Sequence, residues 1–178
     1  MANTTFQGPV TSKAGIITTG PANVVDADSS VSLTVATHSG KIVHNDAAGA
    51  VTYTLPATNA NSDSAVAGPG ADLNNLSNVG AKFEIFSSIT KTGDLVVQVA
   101  NATDVMIGSA SFIDDTSDNM VGFETASTSD TITLNGSTTG GVTHATIECT
   151  VLASGKWKVS VVTGGTGNLA TPFSAAVS

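Results

Sequence analysis

Three histidines, one cysteine and a scatter of carboxylates are the side chains of this 178-residue chain best suited to reactive or metal-binding chemistry. His38, His44 and His144 show no HxH or HExxH spacing. A zinc site needs three or four ligands in fixed geometry, and His38 and His44 can approach each other only if their strands pair. A serine–histidine–aspartate triad has serines in plenty, but no GxSxG elbow exposes one of them. The lone Cys149 lies in phase with Ile147 and Val151, so it reads as a small buried hydrophobe rather than a nucleophile. Being single, it cannot form an intramolecular disulfide.

The carboxylates are no more persuasive. The run Asp114-Asp115-Thr116-Ser117-Asp118-Asn119 offers clustered oxygens. A calcium loop, however, wants Asp or Asn at its third position, Gly at its sixth and Glu at its twelfth. Counted from Asp114, those positions hold Thr116, Asn119 and Thr125, so the run reads as a solvated turn between strands. Asp26 and Asp28 have DxD spacing, without the phosphate-binding loop or Rossmann pattern that would accompany it. Gly164-Gly165-Thr166-Gly167 has no helix after it to hold an anion and reads as a flexible tail. Asn3, Asn101 and Asn135 satisfy the N-glycosylation pattern, a coincidence expected of a Thr-rich chain without an export signal. With one Trp, one Tyr and six Phe, an aromatic platform for sugar rings is poorly supplied. No catalytic, cofactor-binding or metal-binding residue is assigned, and the chain is read as non-enzymatic.

Composition narrows the partners. Fourteen acidic residues face six lysines and no arginine, giving a net charge of −8. Nucleic-acid backbones and anionic membranes both call for basic clusters, so neither is expected as a partner. The missing arginines also remove the usual bidentate clamp for phosphate or carboxylate substrates. Hydroxyls keep the surface wet instead: 26 Thr and 20 Ser against 11% charged residues. No apolar run approaches the ~18 residues of a membrane span. The opening Met1–Phe6 lacks both the basic region and the apolar stretch of a signal peptide, so synthesis and use without Sec export are expected.

These residues must be positioned by strands. Lys156–Val162 alternates strictly, with Trp157, Val159 and Val161 on one face and Lys156, Lys158 and Ser160 on the other. Period-2 alternation marks a strand with one buried face. Related patterns place strands at 31–36, 41–44, 51–55, 81–87, 95–100, 105–107, 120–123, 131–134, 144–151 and 156–162, many separated by turn signals such as Asn135-Gly136 and Ser154-Gly155. No stretch sustains a 3.6-residue period with a cap. The expected fold is all-β: a single-domain β-sandwich or partly closed barrel over residues 31–162. Residues 1–30 read as an extended N-terminal arm whose isolated apolar residues, Phe6, Val10, Ile16 and Ile17, need a partner surface. Residues 56–80 form a long connection with a short helix expected near Ala71–Leu76, and 163–178 a tail anchored by Leu169 and Phe173.

Several phrases carry a family likeness: Gly40-Lys41-Ile42-Val43 through Thr54-Leu55-Pro56-Ala57-Thr58, Asn101 through Gly108, Ser129 through Gly136, and Gly155-Lys156-Trp157-Lys158-Val159 followed by Thr171-Pro172-Phe173-Ser174. With the opening Phe6-Gln7-Gly8-Pro9-Val10, the chain resembles the small β-rich virion proteins of tailed, mainly marine, bacteriophages. The resemblance runs from about residue 40 to the C-terminus and implies a capsid decoration (cement) protein. Such a protein would bind the outer surface of the major capsid protein as a homotrimer and reinforce the head. It brings no catalytic residues and no cofactor. The alternative within the virion is a tail- or fibre-associated β module binding a receptor or glycan.

Overall fold

The computed structural model describes residues 23–59, 77–117 and 119–177. The expected site residues Phe6, Val10, Ile16 and Ile17, and the helix expected near Ala71–Leu76, lie outside them. The strands are β1 (Val24–Asp26), β2 (Val31–Ser32), β3 (Ile42–Asn45), β4 (Val51–Thr54), β5 (Lys82–Ser87), β6 (Leu95–Gln98), β7 (Val105–Asp114), β8 (Met120–Glu124), β9 (Thr131–Leu134), β10 (Ala145–Ala153), β11 (Lys156–Gly165) and β12 (Phe173–Ser174). One four-residue helix, α1 (Val35–His38), interrupts them. A seven-stranded sheet in the order β1-β3-β5-β10-β11-β7-β8 faces a five-stranded sheet in the order β12-β9-β6-β4-β2. Of the two expected architectures, sandwich or partly closed barrel, the molecule adopts the β-sandwich.

The alternation is what builds the core. Along β11 Trp157, Val159 and Val161 are buried while Lys156, Lys158 and Val162 are exposed. In β10 Ala145, Ile147, Cys149 and Val151 are buried in the same phase. From the facing sheet come Val51, Tyr53, Leu95, Val97, Ile132 and Leu134, all at or below 2% exposure. Fully burying a side chain of this size contributes about 1.5–3 kcal/mol relative to leaving it in water, so this shared interior is the main source of stability.

Both sheets are mixed, for a reason visible in the chain order. β1, β3 and β5 pair in parallel in one sheet, while β2, β4 and β6 pair in parallel in the other. The chain therefore winds between the sheets, laying one strand on each per turn; each crossover needed by a parallel pair is a visit to the opposite layer. The later strands close the winding. β10 pairs antiparallel with β5, β11 antiparallel with β10, and β7 in parallel with β11 over ten residues.

Three local departures from the expected strands have simple causes. The stretch 31–36 is not one strand: Thr34 is an N-cap whose hydroxyl accepts the Thr37 N–H, and α1 follows. β7 runs on to Asp114, because Met106, Ala110 and Phe112 keep the inward phase through a Gly- and Ser-rich stretch. Gly164 and Gly165 belong to β11. A Cβ on Gly164 would lie 2.4 Å from the Val142 carbonyl oxygen, so a close backbone approach explains that glycine.

Two buried aspartates fasten the irregular segments. Asp130 accepts the backbone N–H groups of Ala176 and Val177 and the Thr131 hydroxyl, holding the C-terminal residues to the start of β9. Asp104 accepts the N–H and hydroxyl of Thr58, and Asn59 and Asn78 exchange hydrogen bonds across the neck of the 56–80 connection.

Candidate functional site

The histidines do not converge. His38 is buried in α1, where its Nδ1 accepts the Thr34 N–H at 2.9 Å. His44 is held by Asp26 on one ring nitrogen and Ser88 on the other, at 3.2 and 2.9 Å. His144 stacks on Phe86, which also stacks on His44, so the three rings form a row on the outer face of the seven-stranded sheet.

Cys149 is fully buried, and desolvation, with a smaller contribution from the Glu148 charge, pushes its thiol up from 9.0 to about 12. Between those values the unfolded chain releases a proton that the folded chain keeps. The stability from this group is therefore intact below pH 9 and lost progressively as pH rises toward 12. We expect Cys149→Ala to remove about 1 kcal/mol of the stability lost between pH 9 and pH 10, read as a flatter pH dependence of the urea midpoint.

The acidic run behaves as a turn. Asp114 spends its carboxylate on the Thr116 N–H and hydroxyl and on the Ser117 hydroxyl, and these bonds, that of Ser117 foremost, hold its pKa below the usual carboxylate value. Asn101 and Asn135 likewise use their side-chain oxygens to close turns.

Two groupings escaped the sequence. Parallel pairing of β1 with β3 brings Asp26 and Asp28 to Asp46, where one oxygen of each lies within 4.8 Å of the others. Hydrogen bonding between Asp28 and Asp46 splits the pair: Asp28 falls below the ordinary value, chiefly through the Asp46 backbone N–H, and Asp46 rises above it, chiefly through the Asp28 side chain. Three carboxylates at this spacing suit a divalent cation, but all are exposed and nothing else points to an ion, so none is assigned. The second grouping is Lys91 with Asn45. Lys91 is 2% exposed, and its ammonium donates to Asn45 Oδ1 at 3.0 Å and to the Ala47 carbonyl oxygen. Their separation of 46 residues left no signal in the sequence.

On the outer face of the seven-stranded sheet, Ile113 (55% exposed) sits directly across from Met120 (75%), with Val162 (50%) on the strand beside them. Ile113 and Val162 line a groove of about 440 Å³ with Val142, Thr143, His144 and Thr146. Met120 lies on β8, an edge strand of that sheet. No helix among the described residues is long and apolar enough to cross a membrane. Comparison with protein-family models, with curated proteins and with solved structures finds no match.

Proposed function

We propose that this chain is a non-enzymatic virion structural protein: a capsid decoration protein that binds the outer surface of the major capsid protein as a homotrimer and reinforces the head. The observation that carries the reading is the apolar outer face formed by Ile113, Met120 and Val162 beside an edge strand. Apolar side chains clustered on a sheet face, next to unpaired backbone groups, suit permanent packing against a protein neighbour. The family resemblance names the neighbour. A surface wetted by Thr and Ser with few charges is in keeping with such a contact, because little charge has to be desolvated.

The test is location and contact. Cryo-electron microscopy of particles of the encoding phage is expected to show regular copies over the head, with this face against the shell. Density confined to the tail would replace the reading with the tail-module alternative. Charging the face with Ile113→Asp and Met120→Asp together is expected to weaken head binding at least about tenfold. The variant should leave the far-ultraviolet circular dichroism unchanged, since both side chains are exposed. Undiminished binding would discard this face as the contact.

A further inference from the structure

Lys91 is the least expected residue in the interior. It lies in the crossover from β5 to β6 and reaches the end of β3, where Asn45 is fully buried and in phase with Val43. A buried ammonium is normally paired with a carboxylate. Among the described residues, the ion pairs are His44–Asp26 and Lys82–Glu148, and Lys91 joins neither. Its partners are two neutral oxygens, Asn45 Oδ1 and the carbonyl of Ala47.

We propose that Lys91 and Asn45 become joined by an isopeptide bond, formed by the folded chain itself with release of ammonia. The Lys91 nitrogen lies 3.0 Å from Asn45 Oδ1. The amide carbon is one C=O bond away, about 1.2 Å, and so lies within ~4.2 Å of the amine. The orientation of the amide is set by its contacts: Oδ1 faces the lysine, while Nδ2 donates to the Ala27 carbonyl oxygen at 3.2 Å. That assignment makes both contacts donor–acceptor pairs. Desolvation lowers the pKa of Lys91 from 10.5, against the opposing pull of the Asp28 charge, and so favours the neutral amine with a free lone pair.

The proton has a route. Tyr53, fully buried on β4, donates its hydroxyl to the same Ala27 oxygen that Asn45 Nδ2 contacts, so the hydroxyl stands beside the nitrogen that must leave. Burial raises this phenol to about 12, which keeps its proton in place at neutral pH. In the step, the lysine lone pair forms the new C–N bond and the carbonyl π electrons move onto Oδ1. Their return breaks the bond from carbon to Nδ2. Nζ sheds its proton to Oδ1, the oxygen it already meets; Tyr53 gives its proton to Nδ2 and recovers the Oδ1 proton as the C=O bond re-forms, so ammonia departs and nothing is oxidised or reduced. The product ties the end of β3 to the β5–β6 crossover and replaces a buried titratable amine with an amide that carries no charge at any pH.

Intact mass spectrometry of the full chain, purified and then fully denatured, tests this. The expected mass is one ammonia below that of the linear sequence. Digestion after lysine should fail at Lys91 and yield a branched peptide joining residues 42–82 to 83–156. Asn45→Asp should lose water in place of ammonia, and Lys91→Arg should keep the full sequence mass. A wild-type chain with linear mass and normal cleavage at Lys91 would falsify the bond. Ammonia loss that persists in Lys91→Arg would overturn it too, by pointing to a succinimide at another asparagine.

Discussion

Gly108→Ala is expected to lower the stability of this protein by about 4 kcal/mol or more, out of the roughly 5–15 kcal/mol available to a domain of this kind. Gly108 lies in β7 opposite Val159 of β11, in the parallel ladder one strand in from the β8 edge of the larger sheet. A Cβ there would lie 1.8 Å from the Val159 carbonyl oxygen and 2.8 Å from its carbonyl carbon. Both are backbone atoms, so no rotamer change relieves the clash and the strands must separate. Gly122→Ala on the neighbouring β8 is the matched control: its Cβ would have only the Ala110 carbonyl oxygen near it, at 4.0 Å, and the change should stay within about 0.5 kcal/mol. Urea denaturation of both variants reads the difference. Equal midpoints would mean that β7 and β11 are not held as closely as described.

Trp157→Ala is expected to cost about 3–5 kcal/mol, the range for emptying a large buried aromatic site. Trp157 is fully buried between Val151 of β10 and Met106 of β7, with its ring tilted against Phe83 at 5.8 Å. Its indole N–H, however, has no hydrogen-bond partner. Trp157→Phe removes that unpaired donor, whose burial is worth roughly 1–3 kcal/mol of penalty, while opening a smaller void. The phenylalanine variant should therefore lose less than about half of what alanine loses. A loss as large as that of alanine would show that the N–H is satisfied after all.

Much of this architecture is legible in the residues because inward and outward positions alternate over long runs. Trp157, Val159 and Val161 declare the buried side of β11 without help from any neighbour. What escapes is short or distant. β1 and β12 span three and two residues, too few to display a period, and exist because longer strands offer them an edge. The winding of β1 to β6 leaves no repeat because its turns are unequal: Val24 aligns with Ile42, but Ile42 aligns with Glu84. Since the parallel register is invisible, so are its products, the meeting of Asp26 and Asp28 with Asp46 and that of Lys91 with Asn45. Lys91 was further disguised by its type, since lysine is almost never fully buried. The apolar face formed by Ile113, Met120 and Val162 could be suspected only from apolar residues on the wet phase of their strands.

The position of β11 has a consequence for how the chain reaches this state. Of the long strands described it comes last in chain order, yet it is flanked by β10 on one side and β7 on the other. Until residues 156–165 have emerged, β7 and β8 have no attachment to the rest of their sheet. Synthesis at roughly 5–20 residues per second therefore holds two open-edged pieces apart for seconds before they can close. Closure brings together segments far apart in sequence, so the final step should be slow and vulnerable to edge-to-edge association of nascent chains. Chains interrupted before Lys156 are expected to be aggregation-prone substrates for chaperones, while completed chains close both pieces in one late, cooperative event.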